Sequence, residues 1–260
     1  MVFGIDISKW QGSFNMEQAV KEGVKFVIIK GGGGDNGLYR DSRFEQNYEK
    51  AKTLRLPVGV YWFSKATTTK QAEEEAKYFY WNITKGRQFE LPVYIDVEHD
   101  SMLKLTKRNL TNIIKTWCDY LEKRGFYVGI YASIHTFYEK VYDSELTRYT
   151  HWVAQWSKQC NYTNKNCLGM WQFGGEYNAL RGTKVAGVVT DQDYMLVDYP
   201  TLIKKAGLNG FTKGKKSVYE IALEVICGDW GIGSTRKKRL TEAGYNYDEV
   251  QKEVNKILSK

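Results

Sequence analysis

The sequence predicts an α/β chain folded as an irregular, TIM-like barrel, (β/α)5(β)3, followed by a small three-helix bundle. Three observations predict this. Eight short segments rich in Val, Ile, Tyr, Trp and Phe read as buried strands, helical patterns separate only the first five, and beyond residue 216 the pattern turns wholly helical. With 260 residues, 42% of them hydrophobic and 26% charged, the chain can bury one large core and a small one.

Strands are expected over residues 2–8, 25–31, 57–64, 91–98, 127–133, 151–157, 168–174 and 188–195. The clearest helix carries Leu110, Ile113, Ile114, Trp117, Cys118 and Leu121 at helical spacing and stops at Gly125. Others are expected over 16–22, 43–54, 70–83 and 135–140. The last three strands are joined by polar, Gly- and Asn-rich loops. This organisation divides the chain into a barrel over 1–207, a linker over 208–216 and a helical module over 217–260. The module opens with a capping-box pattern, Ser217 and Glu220, and an apolar stripe of Val218, Ile221, Ala222, Val225 and Ile226. A turn around Trp230 follows, then a second helix ending at Ala243-Gly244 and a third lined by Val250, Val254, Ile257 and Leu258.

A formal charge of +8 suits an anionic partner, and bacterial wall polymers, nucleic acid and anionic lipid all qualify by charge alone. The basic residues are spread out, without a long Arg/Lys tract, zinc-finger spacing or an aromatic RNA-binding signature, so nucleic acid is disfavoured. No run of 18 apolar residues suggests membrane insertion. Residues 1–6 begin directly with strand-like material in place of a signal peptide, which predicts synthesis in the cytoplasm and action after release. Cys118 and Cys227 read as small buried hydrophobes, and Cys160 and Cys167 are placed to close a small loop if oxidised. No metal or cofactor is expected, since Cys-x-x-Cys is absent and the 3 His are scattered.

The chemistry concentrates at Asp96-Val97-Glu98, which ends the most apolar strand-like run, Leu91 to Ile95. Residues i and i+2 of a strand share a face, so the two carboxylates point into one site. A proton donor with a second acid beside it is what glycosidic bond cleavage needs. The bland alternative is a solvated strand end. Asp6 ends the first strand and is read equally as a catalytic acid or as the cap of the turn into Ser8-Lys9-Trp10. Asp191 and Asp193 share a face by the same rule, one of them being structural. Asp6, Lys30, Trp62, Asp96, Glu98, Tyr131, Trp156, Gln172 and Asp191 all fall at or near predicted C-terminal strand ends, where barrels of this type carry their sites. Gly31-Gly32-Gly33-Gly34 lacks the Gly-Lys-Ser/Thr of a phosphate loop and reads as a flexible loop shaping the cleft. Aromatics at 15% suit either sugar stacking or an aromatic core.

Phe3-Gly4-Ile5-Asp6-Ile7-Ser8-Lys9-Trp10-Gln11-Gly12, Gly59-Val60-Tyr61-Trp62-Phe63, Asp96-Val97-Glu98, Ala154-Gln155-Trp156, Trp171-Gln172-Phe173 and Asp191-Gln192-Asp193-Tyr194 occur in that order. In this the chain resembles glycoside hydrolase family 25, the Chalaropsis-type lysozymes that include many phage endolysins. The resemblance spans roughly residues 1–200. It implies cleavage of the β-1,4 bond between N-acetylmuramic acid and N-acetylglucosamine in peptidoglycan. It further implies Glu98 as proton donor, Asp96 as the acid positioning the 2-acetamido group, and Asp6 and Asp191 as the other cleft carboxylates. Lys30, Tyr61, Trp62, Tyr94, Tyr131, Trp156, Gln172 and Asp193 are expected to bind substrate. At position 193 the family more often carries Asn. The tail resembles the choline-independent cell-wall-binding repeat of phage lysins through Ala222–Ile226, Gly228-Asp229-Trp230-Gly231, Arg236–Leu240, Ala243–Tyr247 and Val250-Gln251. Arg236, Tyr245 and Tyr247 are the expected wall contacts, or else a local salt bridge and packing. Two alternatives stay open: an endo-hydrolase of another N-acetylated glycan, and a wall-binding protein with weak or no activity.

Overall fold

The computed structural model describes residues 1–34 and 37–259, and the final residue of the predicted helical module lies outside the described residues. The chain divides into two compact units, Met1–Lys213 and Gly214–Lys260.

In the first unit the strands run β1 (Val2–Ile7), β2 (Val27–Gly33), β3 (Tyr39–Arg40), β4 (Val58–Phe63), β5 (Val93–Asp96), β6 (Val128–Ser133), β7 (Thr150–Ala154), β8 (Leu168–Gly174), β9 (Lys184–Val185), β10 (Val188–Val189) and β11 (Asp191–Met195). From β1 through β2, β4, β5, β6 and β7 to β8, each barrel strand pairs in parallel with the next. Antiparallel β11 then lies between β8 and β1 and closes the ring at eight strands. The reversal is the irregularity of the predicted (β/α)5(β)3 barrel. No crossover helix lies between β8 and β11, so the chain returns through the β9–β10 hairpin and enters the last strand from the opposite end. β3 adds to the outer edge of β2.

Helices α1 (Met16–Lys21), α2 (Phe44–Thr53), α3 (Thr69–Phe79), α4 (Asp100–Leu103) and α5 (Lys107–Glu122) occupy the crossovers. The helix expected over 135–140 is a single wide turn, Thr136–Lys140, started by the Ser133 hydroxyl accepting from Thr136 N. The apolar stripe of α5 is buried throughout. Each such side chain contributes at most about 1.5–3 kcal/mol on leaving water. Strand alternation sends Val60, Ile95, Ile130 and Val153 outward into this helix-covered layer, with Phe79 and Trp117. It sends Ile28, Tyr94, Trp152 and Met170 inward.

Helix α6 (Tyr199–Ala206) was not read from the sequence, although Asp198 caps it and Pro200 lies in its first turn. It packs Tyr199 and Ile203 against the inward cluster. The predicted linker starts as a latch: Asn209, buried and left-handed at φ +53°, donates from Nδ2 to Phe89 O and Leu91 O and accepts from Tyr127 N. It thereby pins the starts of β5 and β6.

In the second unit, α7 (Val218–Cys227) opens on the Ser217/Glu220 capping box and ends at Gly228. α8 (Gly233–Glu242) and α9 (Tyr247–Leu258) complete the three helices. Ile221, Ala222, Val225, Leu240, Val250 and Val254 form its core, flanked by Trp230, Tyr245 and Tyr247. Cys118 is buried as expected, but Cys227 is exposed, because it sits on the solvent side at the end of α7. All four thiols are free, Cys160 and Cys167 included.

Candidate active site

Because β11 is reversed, Asp191 stands at the start of its strand yet on the same rim as the ends of the parallel strands. Register places it directly opposite Asp6. On β5, alternation turns Tyr94 and Asp96 inward. Asp96 is the last residue of the strand, with Glu98 two residues beyond. Asp96 is buried and its Oδ1 accepts no hydrogen bond among the described residues, whereas Glu98 keeps a solvent-accessible face at the mouth. The Asp96 carbonyl accepts from Ser64 N at 3.2 Å, which ties the end of β5 to that of β4.

Gln172 is the hub of the opposite wall. Its Nε2 donates to Asp6 Oδ2 at 2.9 Å, and its Oε1 accepts from Tyr131 OH at 2.9 Å and Trp156 Nε1 at 3.0 Å. Below lies Trp152, whose Nε1 donates to Asp193 Oδ1 at 2.8 Å. Its ring contacts those of Tyr61, Tyr94 and Tyr131. Trp152 escaped the sequence reading. The signal was its place two residues before Ala154 and four before Trp156, on the inward face of β7.

The electrostatics follow from burying several acids together. Burial pushes the carboxyls of Asp96 and Asp6 well above their ordinary range; Glu98 adds to the push on Asp96, and Asp191 to that on Asp6. The Gln172 hydrogen bond opposes the shift at Asp6, and the Lys30 ammonium opposes it at Asp96. Asp191 rises to about 6, through burial and then the charges of Glu98 and Glu176. Glu98 is raised by burial between the cleft walls and lowered by Lys30. Like-charge repulsion falls on Asp6, Asp96 and Asp191, and burial, not repulsion, is what raises Glu98. Such a cluster cannot ionise fully, and its protons belong to the group. Lys30 lies over the rings of Phe63 and Tyr61, at 4.3 Å and 5.7 Å; burial lowers its pKa, while Asp96, Asp41 and Glu98 hold it up. The phenols of Tyr61 and Tyr131 are raised by burial and by the charges of Asp6, Asp96, Glu98 and Asp191, so both remain neutral, the Tyr131 proton directed to Gln172.

The structure thus brings together Asp6, Lys30, Tyr61, Asp96, Glu98, Tyr131, Trp156, Gln172 and Asp191. Three predicted substrate contacts lie elsewhere. Trp62 points outward, is fully buried against Tyr78 and Phe79, and donates to Glu75 Oε2 at 2.9 Å. Tyr94 is fully buried in the barrel interior. Asp193 is also fully buried, beneath Asp6, its carboxyl raised well above the ordinary range by burial and by Asp6. The four glycines are not a flexible loop: a Cβ would meet Ile83 at Gly31, Tyr39 O at Gly32, Phe63 O at Gly33 and Glu75 at Gly34. In the second unit Arg236 bonds Gly231 O and Gln251, and Tyr245 and Tyr247 pack at the core edge, so much of each is engaged internally.

Comparison with known proteins gives two matches along the chain. Residues 5–181 match the glycosyl hydrolases family 25, and residues 219–258 match the CW_7 repeat. The chain is 27% identical over 182 residues to the autolytic lysozyme of Clostridium acetobutylicum, covering 69% of this chain and 53% of that one. It is 31% identical over 125 residues to lysozyme M1 of Streptomyces globisporus, covering 47% and 42%. The chain therefore spans about half the length of these curated relatives. Among solved structures, the bacterial lysozyme from Streptomyces coelicolor superposes with a TM-score of 0.66 at 24% identity, covering 79% of this chain and 96% of that one, a likeness of fold.

Proposed function

The chain belongs to the glycosyl hydrolases family 25, and from that premise we propose that it hydrolyses peptidoglycan, cutting the β-1,4 bond between N-acetylmuramic acid and N-acetylglucosamine. The observation that carries this reading is the convergence of Asp6, Asp96, Glu98 and Asp191 on one open rim, with Lys30, Tyr61, Tyr131 and Trp156 around them. Named lysozymes among the relatives support it.

In this mechanism Glu98, the acid at the mouth, is the proton donor. As the bond from C1 to the leaving oxygen breaks, Glu98 protonates that oxygen, and the substrate's own acetamido oxygen bonds to C1. Asp96 accepts from the acetamido N–H and stabilises its growing positive charge. Water then attacks C1, reopens the ring and returns a proton to Glu98. The neutral Tyr61 phenol donates to a sugar oxygen, the Tyr131 hydroxyl, whose proton is held by Gln172, accepts from a sugar hydroxyl, and Trp156 offers a partly exposed face.

The second unit acts as a wall anchor, a reading supported by its match to the CW_7 repeat. The excess of 8 positive charges assists adsorption to an anionic wall in a salt-sensitive way. The protein reaches its substrate after release from the cell that makes it.

Digesting purified peptidoglycan, reducing the new ends with borohydride and identifying the sugar alcohol tests the reaction. Muramitol is expected. Glucosaminitol would move the cut to the other glycosidic bond, and no new ends would leave a binding protein. Removal of residues 214–260 is expected to lower wall retention in a sedimentation assay.

A further inference from the structure

Trp10 is 79% exposed, although it stands only four residues after Asp6. The turn presenting it is rigid. Lys9–Gln11 forms one helical turn closed by a reciprocal cap, in which Trp10 N donates to Ser8 Oγ and Ser8 N to Gln11 Oε1. Lys9 N donates to Asp41 Oδ2 at 3.2 Å, and Asp41 N bonds Gly31 O, which fastens the turn to β2. The Lys9 ammonium sits 5.0 Å from the Trp10 ring and 5.9 Å from that of Tyr39. The turn follows directly on the C-terminal end of β1, and the Tyr39 under Lys9 pairs with Gly33 at the C-terminal end of β2, so this corner adjoins the cleft rim.

A large indole held by its backbone and left in water offers contact area with little ordering cost on binding. Trp81 is a useful contrast. It is 58% exposed, but it lies beyond α3 towards the opposite end of the barrel, with Lys85 3.7 Å from its ring. We propose that Lys9 and Trp10 form a further glycan subsite, Trp10 stacking on a pyranose ring beyond the two reacting sugars and Lys9 pairing with a carboxylate of the stem peptide on that strand. The proposal rests on the peptidoglycan reading above. A pyranose presents an apolar C–H face to the indole, while the cation selects a strand that carries acidic peptides.

The test uses the full chain and two soluble substrates: uncrosslinked glycan strands bearing their stem peptides, and the same strands with the peptides removed. Trp10→Ala is expected to raise KM about tenfold on both, with kcat within about twofold, and Trp10→Phe to restore most of the loss. Lys9→Met is expected to raise KM only on the peptide-bearing strands. An unchanged KM for Trp10→Ala on both substrates overturns the subsite, and an equal Lys9→Met effect on stripped strands overturns the carboxylate pairing. A lowered melting temperature with kcat and KM both impaired would reduce Trp10 to scaffold. If the unaltered chain cleaves neither substrate, the reaction reading fails while the subsite is still decided. Titrating stripped strands into Glu98→Gln should then change tryptophan fluorescence, and the change should shrink to the part contributed by Trp156 in Glu98→Gln/Trp10→Phe. Persistence of the full change in the double variant overturns the subsite.

Discussion

Gln172 donates a 2.9 Å hydrogen bond to Asp6 past the intervening β11, joining two residues 166 apart in sequence. The oxygen of the same amide accepts from Tyr131 and Trp156, so one neutral side chain sets the position of an acid, a phenol and an indole. Gln172→Met removes all three bonds. Leaving buried polar groups unpaired costs about 1–3 kcal/mol each, so unfolding free energy should fall by at least that amount. Without its donor, Asp6 should move further upward in pKa. Chemical denaturation and kcat/KM for peptidoglycan measure the two effects, and both are expected to decline.

Glu98 separates chemistry from folding more cleanly. It is exposed at the mouth, two residues past the end of β5, so Glu98→Gln should melt like the unaltered chain. A positioned acid contributes about 10²–10⁴-fold, and kcat should fall by that factor. Release of reducing ends together with thermal melting checks both halves. Near-normal turnover would exclude Glu98 as the acid.

Lys30 tunes the acids without holding a proton in the reaction. Its positive charge favours the ionised forms of Asp96 and Glu98 and so lowers both pKa values. Lys30→Met should raise them. The acid limb, which requires ionised Asp96, and the alkaline limb, which requires protonated Glu98, should both move to higher pH. A profile of kcat/KM against pH at fixed ionic strength reads this directly; displacement to lower pH would refute it.

Asp96 and Glu98 were legible because a period of two decides which side chains share a face, and the preceding Val93 and Ile95 mark the outward face. The same rule, applied from Tyr61 and Phe63, turns Trp62 outward; a run of three aromatics conceals that alternation, since both faces of β4 are buried. Strand direction left no trace in composition, so β11 read like its parallel neighbours, yet Asp191 still reached the rim. The Gly31–Gly34 run was ambiguous locally, because its demand for small residues comes from Tyr39, Phe63, Glu75 and Ile83. Leu208-Asn209-Gly210 has the chemistry of a turn, and only the tertiary structure reveals what Asn209 holds.

That latch makes a prediction far from the cleft. Asn209→Ala strands Phe89 O, Leu91 O and Tyr127 N beneath the barrel and puts a Cβ-bearing residue less tolerant of positive φ at +53°. A loss of about 3 kcal/mol in stability is expected. Denaturant titration measures it, and KM for short soluble substrates should stay unchanged.

Asp193 supplies a stability prediction whose sign runs against the usual carboxylate. Most acids in proteins are stabilised in their ionised form, but Asp193 is fully buried, beside Asp6, and its folded pKa lies well above the unfolded value. Between those two values the folded chain keeps a proton that the unfolded chain has released, so stability falls as pH rises through that window. Asp193→Asn removes the titration while still offering an oxygen to Trp152 Nε1, and an amide is the nearest neutral match to a protonated carboxyl. The variant should therefore equal the unaltered chain near pH 4 and exceed it in melting temperature at pH 7 and above. Melting curves across pH decide the matter: parallel curves for the two proteins would mean that Asp193 does not hold its proton in the folded state.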